Sequence, residues 1–215
     1  MNEKEFIDYY WKQYILIEKE FSSTKRYLSL EEDNFNAYSS VFLKLLLEIG
    51  SEVDISAKLL CRLINPESKA ETLKQCLDEI KAKYAEFVNV SIISGKIKVS
   101  PWSDNDTPTW WKVYNGVKHN RTKVERYGSI EKENYKFANQ KNVFTALAGL
   151  YQLNVYIFRL TEHNNYLDSP LPGSRYFTLS GYGWDEKEFY YDMKPYINDD
   201  GHLIYILPSF QYNEI

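Results

Sequence analysis

Apolar side chains recur at helical spacing over most of this chain. Phe6, Tyr9, Tyr10, Tyr14 and Ile17 put one apolar face on a first helix from Glu3 to about Glu20, and Ser22-Ser23-Thr24 ends it. Tyr27 to Leu30 reads as extended, with Asp33 or Asn34 as a cap for the next helix. That helix runs from Phe35 to Ile49 on Tyr38, Val41, Phe42, Leu45, Leu46 and Ile49. Gly50 has the composition of a C-cap. The pattern resumes at once through Val53, Ala57, Leu60 and Leu63, so the alternative is one long helix with Gly50 inside it, where a neighbour comes close. Asn65-Pro66 stops this run. Ser68-x-x-Glu71 opens another helix, carried by Leu73, Cys76, Leu77, Ile80 and Tyr84 to about Val88.

Between Val90 and Val99 the texture changes to a short hairpin or connector around Ser94-Gly95-Lys96. A turn-rich break from Ser100 to Pro108 precedes a helix capped by Thr109 that runs to about Arg126. Tyr127-Gly128-Ser129 breaks the pattern. Tyr135 to about Leu160 then reads as the longest helix, with Leu147, Leu150 and Leu153 at its centre. Its uncharged stretch, Val143 to Phe158, is too short for a membrane span and reads as a buried helix. After Leu171, Pro and Gly punctuate short runs. Ser174–Leu179 and Leu203–Leu207 have the look of strands, and strand should concentrate here. This tail is crowded with aromatics, among them Tyr176, Phe177, Tyr182, Trp184, Phe189, Tyr190 and Tyr191, and is expected to fold back over the helices or cover a site. The fold class predicted is mainly α: a multi-helix bundle over 1–165 and a small C-terminal β-containing extension over 166–215.

Composition narrows the class. The chain has 215 residues, 44% hydrophobic and 26% charged, which is globular. Its net charge of −4 gives no global footprint for nucleic acid or an acidic membrane. Locally the sign reverses. Between Trp110 and Arg126, Lys112, Lys118, Arg121, Lys123 and Arg126 stand against Glu125 alone. Cys61 and Cys76 fall in separate helical patterns, which argues for a reducing cytoplasm rather than a disulfide framework. The N-terminus has no apolar run behind a basic one, so no signal peptide is expected.

The densest chemistry lies from Thr109 to Arg121. On a helix, Trp111, Asn115, Lys118, His119 and Thr122 share one face, while Trp110, Tyr114 and Val117 share the next. The first face gathers an amide, an ammonium and an imidazole. An imidazole exchanges a proton near neutral pH, and a cation beside it stabilises charge developing on a phosphate. The bland alternative is a structurally bonded His119 with Lys118 and Arg121 solvated. A second cluster, Glu48, Ser51, Glu52 and Asp54, would either bind a metal, orient His119, pair with Lys118 or Arg121, or be a solvated face, which is the commonest fate of such a cluster. His163 and His202 sit in loop-like contexts. No glycine-rich phosphate loop, nucleophile elbow or metal-ligand spacing is present, so neither cofactor nor metal is expected.

A polar His-centred motif on one helix, followed by a long apolar helix, resembles the HEPN superfamily of prokaryotic helical domains. Tyr114-Asn115-Gly116-Val117-Lys118-His119-Asn120-Arg121 also resembles a motif of small uncharacterised bacterial proteins related to it. The resemblance covers Phe35 to Leu160. In HEPN ribonucleases four to six residues separate an Arg from a following His. Here those positions hold Tyr114, Val113 and Lys112, so Lys112 is the cation carried over. The resemblance implies a cytoplasmic, metal-independent ribonuclease or RNA-binding domain in a defence or toxin setting. Two motifs would meet in a homodimer, with His119 and Lys112 catalytic and Trp111, Asn115, Lys118 and Arg121 on the substrate. The alternative is a non-catalytic module that docks a protein partner on the Trp111–Arg121 face. No membrane association is expected.

Overall fold

The computed structural model describes residues 1–103, 107–161, 170, 172–180, 194–197 and 203–206, and the fold is mainly α. Helix α1 (Glu3–Phe6) passes through a π-helical turn, Ile7–Trp11, into α2 (Lys12–Thr24). Asn2 starts it with a reciprocal cap: its side chain accepts from the Glu5 N–H, and the Glu5 carboxylate accepts from the Asn2 N–H. Helix α3 (Ser40–Ile64) begins later than the apolar pattern indicates. Ser39 caps it, while Glu32–Asn34 forms only a 3-10 turn. It runs through Gly50 without a break. Helix α4 (Leu73–Lys83) starts at Thr72, not at Ser68, because Thr72 and Gln75 make the reciprocal cap.

The Val90–Val99 region is a hairpin, β1 (Ser91–Ser94) with β2 (Ile97–Val99), turning at Gly95, whose φ of 59° is a left-handed conformation. Helix α5 (Thr109–His119) follows. It ends well before Arg126, because the chain turns out at Asn120 into a second hairpin, β3 (Val124–Tyr127) with β4 (Ile130–Glu133), turning at Gly128. The alternating exposure of Val124 to Tyr127 is strand spacing rather than helix spacing. Helix α6 (Gln140–Arg159) is capped by Asn139, and β5 (Thr178–Ser180) completes a sheet of order β2-β1-β5. Strands β1 to β4 thus precede Leu171, in addition to those that follow it.

Every residue from Ala146 to Phe158 is buried, which explains a helix apolar on all sides. Leu147, Leu150 and Leu153 lie in the core as expected, and α3 and α6 share the most extensive helix–helix interface. The buried amides on α6 find backbone partners: Gln152 Nε2 donates to Phe87 O at 2.7 Å and Asn154 Nδ2 to Leu150 O at 2.9 Å. Cys61 and Cys76 are buried free thiols. Among the described residues no helix is long and apolar enough to cross a membrane.

The chain separates into two compact units, Met1–Trp184 and Asp185–Ile215. In the first, Phe177 is buried against Phe144 and Tyr151, so the start of the aromatic tail does fold onto the helices. In the second, β6 (Lys194–Ile197) and β7 (Leu203–Ile206) form an antiparallel hairpin. Tyr182, Trp184, Phe189, Tyr190, Tyr191, His163 and His202 lie outside the described residues.

Candidate functional site

Helix α5 is held on one side by bulk. Trp110, Val113, Tyr114 and Val117 are buried. The Trp110 ring sits 5.2 Å from that of Trp102, and its Nε1 donates to Pro101 O at 2.8 Å. The Tyr114 ring lies where a side chain on Gly50 would be: a Cβ there would approach it to 2.3 Å. Gly50 thus leaves α3 open to the approach of α5. Thr109 is the first helical residue rather than the cap. Pro108 precedes it, and its carbonyl accepts from the Trp111 and Lys112 N–H groups.

The opposite side is open. Lys112, Lys118, His119 and Arg121 are exposed, and Trp111 and Asn115 are half-buried. Lys112 and His119 are two turns apart on one stripe, about 10 Å along the axis. Asn115 Nδ2 donates back to Trp111 O at 3.1 Å. Lys118 Nζ donates to the Tyr114 hydroxyl at 3.2 Å and stands 5.4 Å from that ring's centroid. Because the helix stops at His119, Thr122 and Arg121 leave the face assigned to them, and Arg121 belongs to the turn beyond. Lys118 and His119 occupy the last helical turn, where cations meet the negative end of the helix dipole favourably. No carboxylate pairs with Lys112, Lys118, His119 or Arg121 among the described residues, whereas Lys123 pairs with Glu125 and Arg126 with Glu131.

The turn that carries this end is clamped. Asn134 Nδ2 donates to Asn120 O at 2.8 Å, its N–H donates to Lys123 O at 2.9 Å, and the Tyr135 N–H donates to Arg121 O at 3.0 Å. Gly116 admits that clamp, since a Cβ there would meet the Asn134 side chain at 2.7 Å. The result is a clamped backbone displaying exposed basic side chains and one imidazole, an arrangement suited to phosphates and to proton exchange.

The acidic cluster on α3 does not join it. Glu48 Oε1 accepts from Gln13 Nε2 at 3.2 Å, and Asp54 pairs with Lys58 at 2.9 Å. Burial, with the neighbouring Glu48 charge, pushes the Glu52 carboxyl above its ordinary range. Neither pairs with Lys118 or Arg121, and no three His, Cys, Asp or Glu side chains among the described residues converge to hold an ion.

Periodicity missed a second polar centre. Glu18 is 2% exposed. Its carboxylate accepts from the Tyr14 hydroxyl at 2.7 Å, from the Ser174 hydroxyl, and from the Arg175 N–H at 3.1 Å. Trp11 Nε1 donates to Pro172 O at 2.9 Å beside it. Burial and the nearby Glu18 charge push the Tyr14 hydroxyl well above its usual range and Tyr151 up to about 12. One sequence signal pointed here: Tyr14, Glu18 and Phe21 are in phase, which sets a carboxylate in the apolar stripe. Comparison with models of protein families, with curated proteins and with solved structures finds no match for this chain.

Proposed function

We propose that the chain is a HEPN-like RNA-binding domain that works through the cationic end of α5 in a defence or toxin setting. The observation that carries this reading is the exposed set Lys112, Lys118, His119 and Arg121, without a carboxylate partner among the described residues, on a chain of net charge −4. A cationic end on an acidic protein draws phosphates to one place, and each neutralised phosphate releases counterions. His119 is the group suited to taking the ribose 2′-hydroxyl proton or protonating the leaving oxygen. In the HEPN-like reading two copies of the motif meet in a homodimer, so cleavage with the His119–Lys112 pair goes with dimerisation, whereas binding does not require it.

The test is a titration of labelled single-stranded RNA at increasing salt. Lys118→Ala and Arg121→Ala should each lower the salt slope by about one. A single-turnover assay reads the chemical step: His119→Ala should slow cleavage about 10²–10⁴-fold. A wild-type protein that binds no RNA at low salt overturns the reading. The exposed Val124 (52%) and Ile130 (44%) on the following hairpin favour a second reading, a module that docks a protein partner on the Trp111–Arg121 face.

A further inference from the structure

The chain has two cysteines, and the fold sets them side by side. Cys61 lies in the last turn of α3. Because Thr72 rather than Ser68 starts α4, Cys76 falls at the end of that helix's first turn, on the buried face with Leu73, Leu77 and Ile80. Cys61 Sγ donates to Cys76 O at 3.4 Å, and the two thiols also hydrogen-bond to each other. Both are free and buried. A disulfide forms without backbone movement only where two cysteine side chains already face each other, because its bond length and torsion are narrow. Here 15 residues of intervening sequence return the second thiol to the first.

The two thiols are not equivalent. The Cys61 S–H, helped by the Lys58 charge, holds the Cys76 thiol below its ordinary range, against burial and the charges of Asp54 and Glu79. The same bond, with burial, pushes the Cys61 thiol up. The thiolate is the nucleophile in thiol oxidation, so Cys76 is the attacking thiol and Cys61 the resolving one. Burial admits only a small oxidant, through local opening of the helix pair, and hydrogen peroxide is of that size. We propose that Cys61 and Cys76 are a reversible dithiol–disulfide pair that staples α3 to α4 when hydrogen peroxide oxidises it. Cys76 Sγ attacks one peroxide oxygen, the O–O bond breaks, water leaves with the thiol proton, and Cys76 carries a sulfenic acid. Cys61 Sγ then attacks that sulfur, the S–O bond breaks, and a second water leaves with the Cys61 proton. Two thiols are oxidised to one disulfide, and one peroxide is reduced to two waters. A dithiol reductant reverses the bond by exchange.

The experiment is mass spectrometry of the full, folded chain, first reduced and then exposed to hydrogen peroxide. The intact chain should lose the mass of its two thiol hydrogens and stop reacting with maleimide under denaturing conditions. Trypsin should release the segments Leu59–Arg62 and Gln75–Lys81 joined to each other, and dithiothreitol should separate them. Cys61→Ser should leave Cys76 as a sulfenic acid that dimedone traps, while Cys61 in Cys76→Ser should react roughly tenfold more slowly or less. Amide hydrogen exchange over 65–76 should slow in the oxidised wild type, because the closed ring restrains the turn between the helices. The proposal is overturned if peroxide leaves both thiols open to maleimide, if it carries them to sulfinic acid without the joined segments, or if the only disulfides link two chains. Equal trapping in the two serine variants overturns Cys76 as the attacking thiol, and unchanged exchange overturns the staple.

Discussion

The two polar centres of this protein, the α5 stripe and the Glu18 cluster, behave oppositely. On α5 the amide, ammonium and imidazole groups face solvent, and their local bonds run back along their own helix, Asn115 to Trp111 and Lys118 to Tyr114. At Glu18 a carboxylate is taken out of water and bonded across more than 150 residues of sequence to Ser174 and Arg175. The first displays chemistry on a rigid support. The second uses chemistry as the support. A polar residue's task is set by what surrounds it, and a buried one is held to its partners by the cost of leaving them unpaired.

That contrast orders the expected effects. Glu18→Ala should be the most damaging, since it strips an acceptor from the Tyr14 hydroxyl, the Ser174 hydroxyl and the Arg175 N–H. Unmet buried donors cost about 1–3 kcal/mol each, so urea unfolding should show a loss of about 3 kcal/mol or more. Trypsin should also cut after Arg175 faster than in the wild type. An unchanged midpoint would mean that the cluster is not a support.

Titration offers the next test. A tyrosine whose folded pKa is raised contributes stability that is whole below its unfolded pKa and is lost as pH rises through the folded value. Tyr151 moves from 10.0 to about 12. Stability should therefore hold below pH 10 and fall between about pH 10 and 12, by about 2–3 kcal/mol from this group. Tyr151→Phe should flatten that limb of the curve. A limb of the same depth in the variant would assign it elsewhere.

Gly50→Ala probes how the α5 support is seated. The new methyl meets the Tyr114 ring, and overpacking of this kind costs about 1–3 kcal/mol, outweighing the better helix propensity of alanine. Tyr114→Leu in the same chain should relieve part of the loss. Additive losses in that double-mutant cycle would separate Gly50 from α5.

The smallest effect belongs to the displayed side. His119→Ala and Lys112→Ala remove exposed groups and should change stability by no more than about 0.5 kcal/mol, whatever they do to RNA. A loss of 1–3 kcal/mol in chemical unfolding of His119→Ala would move His119 from display to support.

Local pattern alone specified most of the helices, the buried character of Val143–Phe158, and the cationic stretch from Trp110 to Arg126, because each is a property of neighbours in sequence, and it left Val90–Val99 open between a hairpin and a connector. Helix length was less legible. The pattern reads as helix to about Arg126, yet the helix stops at His119 and a hairpin follows, with Asn134 and Tyr135, from beyond it, bonding the carbonyls of Asn120, Arg121 and Lys123. The Gly50 alternatives were likewise open until Tyr114 of another helix came to lie against it. Glu18 shows the limit most plainly. Its place in the apolar stripe of α2 is written in the sequence, but its partners lie some 156 residues away. Only the tertiary structure brings Ser174 and Arg175 to that carboxylate, since long-range pairing depends on chain closure and packing that no local window contains.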